Sequence, residues 1–134
     1  MSNPKEVGEK TEAAILNYFV QRGIPVSVPW GNNQRYDLII EVNGRLLKAQ
    51  CKTGSYKKGV VVFSTASHAG GKTRKSYVGQ IDCFLVFCKE LESFYKIDIS
   101  QALNSSKSTM YLRVDSLKKF GPKTTINWAK DYQI

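Results

Sequence analysis

Three polar side chains stand out in the segment YDLIIEVNGRLLKAQCK, which runs from Tyr36 to Lys52. Asp37 lies near its start, and Gln50 and Lys52 lie near its end. Carboxylate oxygens are the ligands that hard divalent cations prefer, and an amide oxygen can add to them. An amine can position or deprotonate a water, or neutralise charge on a phosphate. A carboxylate, an amide and an amine held in one place could form a functional site, provided that the fold brings them together.

The Asn43-Gly44 pair predicts how the fold does so. Asn-Gly between two alternating apolar runs is the strongest short signal for a hairpin with a two-residue turn. Counting outward from that turn places Asp37 directly opposite Gln50, and opposed side chains share a face of the sheet. Lys52 lies two residues beyond Gln50 and shares the same face. The alternative is a surface hairpin with ordinary polar residues, and a slip of one residue would separate the three groups.

A fourth candidate lies on a helix predicted from Lys5 to Arg22. Glu12 precedes Ile15 and Phe19 by three and seven positions, so it lies on the same stripe as these apolar residues. A carboxylate on a core-facing stripe is unusual unless it has a partner. Two interpretations remain open: Glu12 reaches the polar cluster, or the first helical turn extends beyond the core and leaves Glu12 in water. Glu9 is a competing acid one turn earlier.

The remaining elements predict a single domain over residues 1–134, of α/β (α+β) class. One helix followed by five or six strands predicts a compact fold with a mixed sheet. The run CFLVFCK is apolar at almost every position, which predicts a central strand that is buried on both faces. The other predicted elements are strands at Ile24–Trp30, Val60–Thr65 and Phe94–Ile99, a flexible basic loop at Ser67–Lys75, and a short helix or turn at Ser116–Gly121.

The basic charge of the protein is concentrated in one segment. The net charge is +9, and between Glu41 and Asp82 there are eight basic residues and no acidic one. Such a segment predicts a surface for a polyanion, although a solvated basic face is the alternative. Interleaved hydroxyl groups suit phosphate and base contacts and favour nucleic acid. The candidate DNA-binding residues are Lys57, Lys58, Ser64, Ser67, His68, Lys72, Arg74 and Lys75.

Several other classes of protein fit the sequence poorly. No run approaches the roughly 18 apolar residues of a membrane span, and the N-terminus lacks the apolar region of a secretory signal. We therefore expect no membrane association. The three cysteines are odd in number, lie in apolar runs and show no C-x-x-C spacing. They are expected to be buried and reduced, as in a cytoplasmic protein.

Two further motifs also carry little weight. The segment ASHAGGKT, at residues 66–73, fits a relaxed phosphate-loop pattern, but RKSYVGQI after it is a poor helix. A phosphate loop must open a helix whose N-terminus holds the phosphates, so we expect no nucleotide cofactor. His68 is the only histidine, which argues against a zinc site with two histidine ligands and against an HNH-type nuclease.

These residues resemble the motif of the PD-(D/E)xK nuclease superfamily. Asp37 matches the motif aspartate, Gln50-Cys51-Lys52 matches the (D/E)-x-K run, and Glu12 matches the glutamate of the preceding helix. The segment GNNQRYDLIIEVNGRLLKAQCKTG is most similar in sequence to the homing endonucleases of this superfamily that bacterial group I introns encode. The order of the motif also resembles archaeal Holliday-junction resolvases. Tyr36 replaces the usual proline, and Gln50 replaces the second acid without supplying its charge.

The resemblance implies a restriction-endonuclease-like core, with a central mixed β-sheet flanked by helices. It also implies a site-specific double-stranded DNA endonuclease that uses Mg²⁺ or Mn²⁺ for intron homing. Asp37, Glu12, Gln50 and the Cys51 carbonyl would hold the metal, and Lys52 would act on the water or the phosphate. A homo-oligomer, either dimer or tetramer, would match a pseudo-palindromic target. The alternatives are a resolvase-like structure-specific nuclease and a non-catalytic DNA-binding protein.

Overall fold

The architecture is seen in a computed structural model that describes residues 3–31, 33–69, 73–102, 108–115 and 126–134. The helices are α1 (Pro4–Gln21), α2 (Ile99–Ala102) and a 3₁₀ turn (Ala129–Asp131). The strands are β1 (Val26–Ser27), β2 (Leu38–Val42), β3 (Arg45–Lys57), β4 (Val60–Ser64), β5 (Ala66–Ala69), β6 (Thr73–Ser76), β7 (Cys83–Cys88), β8 (Ser93–Asp98) and β9 (Thr109–Arg113). The predicted helix and the predicted strands at 60–65, 83–89 and 94–99 are confirmed, within a residue or two at their ends.

Helix α1 begins and ends at local signals. The Asn3 side chain accepts a hydrogen bond of 2.9 Å from the backbone N–H of Glu6, and Pro4 occupies the first turn, where its missing N–H costs nothing. After Arg22 the chain turns away at Gly23, which has a φ of 71°, a value that glycine adopts at little cost.

Strand β3 organises the sheet because it is long enough to pair with three neighbours. Its first half pairs antiparallel with β2, its middle pairs parallel with β7, and its end pairs antiparallel with β4. The sheet continues from β2 to β1, from β7 to β8 and from β4 to β9. Parallel and antiparallel pairs occur together, so the prediction of a mixed sheet is confirmed.

The turn between β2 and β3 has the predicted form. Asn43 and Gly44 have φ angles of 53° and 76°, the positive values that a type I′ turn requires. The register runs from the Val42–Arg45 pair to the Leu38–Ala49 pair. The two-residue turn and the hairpin register are therefore confirmed.

Two hydrophobic clusters cover the two faces of the sheet. Helix α1 packs on one face, where Ile15 and Phe19 meet Leu38, Ile40 and Ala49. The core on the other face includes side chains from β4, β7, β8 and β9. Strand β7 has one half-buried residue and is otherwise buried, which confirms the prediction of a central strand.

Gly54, in the part of β3 that joins β4 and β7, is a point of close approach. A Cβ at Gly54 would lie 2.8 Å from a methyl carbon of Val61 and 2.9 Å from one of Val86. Real Cβ contacts are almost never that short, so the close packing of β3 against its neighbours depends on this glycine.

The structure corrects the prediction of a flexible loop at Ser67–Lys75. Residues 66–69 and 73–76 form an antiparallel hairpin, with Ala66 paired to Ser76 and Ala69 to Thr73. Residues 73–76 are a strand, so the ASHAGGKT segment does not open a helix. Strand β9 and helix α2 were not predicted. The short helix or turn predicted at Ser116–Gly121 lies outside the described residues.

Candidate active site

Asp37 lies at the point where β2 and β3 separate. The ladder of the hairpin ends at the Leu38–Ala49 pair, so the predicted Asp37–Gln50 pair is not part of the ladder. The backbone N–H of Asp37 instead donates to the Ala49 carbonyl at 2.8 Å. One carboxylate oxygen of Asp37 accepts a hydrogen bond of 3.0 Å from the backbone N–H of Cys51. The carboxylate is therefore held against the Gln50–Lys52 segment, through the backbone of its middle residue.

The environment of Asp37 opposes its ionisation. Burial raises the pKa of this carboxyl above its ordinary value. The Cys51 N–H and the positive charge of Lys52 act in the opposite direction, but they do not outweigh burial. Asp37 is thus a partly desolvated carboxylate that lacks a full counter-charge.

Glu12 is the second carboxylate of the site. It is half-buried, and its pKa is raised first by burial, then by the charge of Asp37 and then by that of Glu9. Glu12 and Asp37 also line one cavity of about 440 Å³, together with Tyr36 and the loop around Pro29. The helix stripe therefore directs Glu12 towards Asp37, which is the first of the two interpretations left open by the sequence.

A hydrogen bond between two threonines fixes the helix next to the strand at this position. Thr11 Oγ1 and Thr53 Oγ1 are 2.7 Å apart, and the Thr11 side chain is buried. Thr11 precedes Glu12, and Thr53 follows Lys52. The contact therefore determines which residues of β3 lie next to Glu12.

The other two candidates of the motif adopt different roles. The side-chain N–H of Gln50 donates a long hydrogen bond of 3.4 Å to the Cys51 carbonyl. The side-chain oxygen of Gln50 takes no part in this bond. Lys52 Nζ donates to the hydroxyl of Tyr77 at 3.0 Å. Lys52 is close enough to Asp37 to act on its pKa, as described above.

The donor set fits a hard divalent cation. Two mutually repelling, partly desolvated carboxylates and nearby amide and carbonyl oxygens are ligands that Mg²⁺ and Mn²⁺ accept. Across the described ranges of the chain, no three His, Cys, Asp or Glu side chains converge as a metal site. The oxygens of Gln50 and Cys51, with water, would have to complete the coordination.

Thiolate coordination does not fit this site. All three cysteines are buried, as predicted. Burial and the charges of Asp37 and Glu12 raise the pKa of the Cys51 thiol, and burial raises that of Cys83 to about 12. Cys51 and Cys83 belong to the hydrophobic cluster that packs against α1, and neither lines the cavity of Glu12 and Asp37.

The candidate DNA-binding residues fall into distinct positions. Lys57, Lys58 and Lys75 are exposed. The hydroxyls of Ser64 and Ser67 already bond within the protein, to the Ala66 carbonyl and to Arg35 respectively. His68 and Arg74 are paired in the backbone across the β5–β6 hairpin, and Lys72 lies outside the described residues.

A larger cavity of about 570 Å³ is lined by residues of β3, β4 and β9. It is lined by hydroxyl, basic and apolar side chains, including those of Ser64, Tyr111, Lys57 and Lys58. Neither Glu12 nor Asp37 lines this larger cavity.

Sequence reasoning missed four residues of the site. Thr11 and Thr53 anchor the helix, Tyr77 holds Lys52, and Arg35 contacts the Tyr77 ring at 4.0 Å from its centroid. No motif in the sequence singles out Arg35 or Tyr77. No local pattern pairs Tyr77 with Lys52, because the two are 25 positions apart.

The mixed sheet with helix α1 packed on one face is a restriction-endonuclease-like fold, and Glu12 and Asp37 lie at one cavity of it. The family comparison is consistent with this fold: the chain belongs to the PD-(D/E)XK endonuclease family, whose model matches residues 2–134. The protein is accordingly a DNA endonuclease, and nucleases of this family generally use divalent metal ions.

One solved structure supports the fold directly. A bacterial homing endonuclease, I-Ssp6803I, superposes with a TM-score of 0.72 and 24% identity. The match covers 99% of this chain and 88% of the other. No curated protein matches the sequence. No helix in the described parts of the chain is long and apolar enough to cross a membrane.

Proposed function

We propose that the protein makes double-strand breaks at a specific DNA sequence, as an intron-homing endonuclease that uses Mg²⁺ or Mn²⁺. The observation that supports the proposal is that Glu12 and Asp37 line the same cavity and that Lys52 lies close to Asp37. The likeness to a bacterial homing endonuclease over nearly the whole chain supports the homing role.

Asp37 is proposed as the principal metal ligand, because its carboxylate is fixed by the Cys51 N–H. Glu12 supplies the second negative charge, directly or through a water, and so compensates for the neutral Gln50. The Gln50 side-chain oxygen and the Cys51 carbonyl are the remaining donors. When bound, the divalent ion would polarise the phosphate and lower the pKa of a coordinated water.

Lys52 is proposed to act at the scissile phosphate. Its amine either positions or deprotonates the attacking water, or offsets the charge that develops on the phosphate oxygens. Phosphodiester hydrolysis needs both kinds of help, and Lys52 is the basic residue that the motif places next to Asp37.

Lys57, Lys58 and Lys75 are proposed as phosphate contacts, because they are exposed members of the basic segment. His68, Lys72 and Arg74, with Ser64 and Ser67, complete the proposed DNA surface. A single chain of 134 residues offers little surface for a long target. We therefore propose a homo-oligomer, dimer or tetramer, on a pseudo-palindromic site. Light scattering after size exclusion would measure its mass.

The test is cleavage of linear DNA that contains candidate intron insertion sites, with Mg²⁺ and with EDTA. Wild-type protein is expected to cut at one sequence in Mg²⁺ and to be inactive in EDTA. Asp37→Asn and Lys52→Ala are expected to lose cleavage. Undiminished cutting by either variant would contradict the assigned site, and a preference for four-way junctions over linear duplex would replace homing by a resolvase-like activity.

A further inference from the structure

Lys52 is held by a phenol and not by a carboxylate. Its Nζ donates to the Tyr77 hydroxyl at 3.0 Å and lies 4.7 Å from the centroid of the Tyr77 ring. Among the residues that the structure describes, Lys96 forms a salt bridge with Asp98, whereas Lys52 forms no salt bridge with a carboxylate. The position of the Lys52 amine therefore depends on Tyr77.

Tyr77 is itself firmly placed. Its side chain is only 4% exposed, and its ring meets Phe84 edge to face, with centroids 5.6 Å apart and an angle of 89°. Phe84 belongs to β7 and is the parallel partner of Gln50 in β3. The phenol is thus anchored on the strand that borders the candidate active site.

Arg35 fixes Tyr77 from another direction and joins it to the basic hairpin. Its guanidinium carbon lies 4.0 Å from the Tyr77 ring centroid. Nε donates to the Gln80 side chain at 2.6 Å, and Nη1 donates to Ser67 Oγ at 2.6 Å. Nη2 donates to the Ser76 carbonyl at 3.0 Å. A continuous set of contacts therefore runs from the β5–β6 hairpin through Arg35 and Tyr77 to Lys52.

We propose that Tyr77 is a positioning residue for Lys52, and that Arg35 holds Tyr77 against the β5–β6 hairpin. The inference rests on the proposed nuclease function, because it assigns Lys52 to the reaction. The phenol oxygen accepts the hydrogen bond that Lys52 Nζ donates, and the Tyr77 ring lies beside the same amine. Tyr77 therefore sets where the Lys52 amine lies relative to Asp37.

The decisive variant is Tyr77→Phe, which keeps the ring contacts with Phe84 and Arg35 and removes only the hydroxyl. Tyr132→Phe is the matched control, since its hydroxyl bonds to Asn127 at 3.3 Å and it packs on the same core. Misplacement of a catalytic group by about 1 Å can cost 100-fold in rate. We expect Tyr77→Phe to lower the single-turnover cleavage rate roughly tenfold, and Tyr132→Phe to leave it unchanged.

Two further readouts separate positioning from a structural role. DNA affinity, measured with Ca²⁺ in place of Mg²⁺, is expected to change less than about twofold in Tyr77→Phe, because only the reaction step is affected. The ¹⁵Nζ NMR signal of Lys52 is expected to move in Tyr77→Phe and to stay in place in Tyr132→Phe. Arg35→Lys, which keeps the charge but loses the fork of hydrogen bonds, is expected to lower the rate in the same direction.

A wild-type rate in Tyr77→Phe, or a lower rate with an unmoved Lys52 signal, would overturn the inference. If Tyr77→Phe does not fold, a wild-type rate in Arg35→Lys overturns it instead. Lys52→Ala is assayed in parallel, so that the two proposals fail separately. An active Lys52→Ala would contradict the proposed function, whereas an inactive Lys52→Ala beside a fully active Tyr77→Phe would refute only the role of Tyr77.

Discussion

Removing either hydroxyl of the Thr11–Thr53 hydrogen bond should lower the free energy of unfolding, but by different amounts. Thr11 is 4% exposed, whereas Thr53 is exposed. The change Thr53→Val leaves the Thr11 hydroxyl buried without its partner, which costs about 1–2 kcal/mol of the free energy of unfolding. The change Thr11→Val leaves the Thr53 hydroxyl free to bond with water, so we expect a cost of about 0–1 kcal/mol. Valine keeps the volume of threonine in both cases.

The assay is urea unfolding in EDTA, monitored by circular dichroism. The dependence of the free energy of unfolding on urea concentration is compared between variants, so that unfolding midpoints can be converted to free energies. The double variant is expected to be no less stable than Thr53→Val alone, because the second change removes the stranded hydroxyl. Thr109→Val, a half-buried strand threonine away from α1, is the control and should stay within about 0.5 kcal/mol of wild type. Equal and additive costs for the two single variants would refute the reasoning.

Three further predictions address the carboxylate, the packing of β3 and the basic surface. Since the folded state raises the pKa of Asp37, ionisation of this group costs stability as pH rises through the folded pKa. Asp37→Asn in EDTA should therefore melt above wild type near pH 7, and the difference should disappear near pH 3, below the ordinary pKa. Gly54→Ala would place a Cβ within 2.8 Å of a valine methyl and should cost about 1–3 kcal/mol in urea unfolding. Lys57→Gln should lower the slope of log affinity for DNA against log salt by about 0.9, measured by fluorescence anisotropy in Ca²⁺.

Each of these has its own control and its own contrary result. A lower melting temperature for Asp37→Asn at neutral pH would mean that the carboxylate stabilises the metal-free fold. Gly8→Ala is in helix α1, where nothing outside the neighbouring helix backbone comes within 4 Å of the added Cβ, so it should be neutral or stabilising. An equal loss in Gly8→Ala and Gly54→Ala would contradict the packing argument. Lys130→Gln changes an exposed lysine outside the basic segment. An equal fall in the slope of log affinity against log salt would show that the basic segment contributes no more to DNA binding than other surface lysines.

Much of the site was predictable because it rests on short-range rules. The Asn43-Gly44 turn requires positive φ at both residues, and that alone sets the register of β2 against β3. The spacing of Glu12 to Ile15 and Phe19 placed the carboxylate on the buried side of α1. Both predictions depend on periodicity and turn chemistry within a few residues, where the sequence is informative.

The errors and omissions have a common cause. The β5–β6 hairpin was read as a loop because its glycines and basic residues show no alternation of apolar and polar side chains. Strand β9 pairs with β4, about 50 positions earlier in the chain, and nothing within β9 indicates that partner. Asp37 bonds to Cys51 and not across to Gln50, because the two strands separate at that point.

The sequence by itself determined the helix, the hairpin and its register, the central strand and the identity of the polar groups, since these follow from local backbone preferences and hydrophobic periodicity. Only the tertiary structure decided that Glu12 and Asp37 line one cavity, that Lys52 bonds to Tyr77, and that Arg35 packs on the Tyr77 ring. Those contacts join residues from separate elements. They depend on how α1, β3 and β7 pack together, which no single segment of the chain specifies.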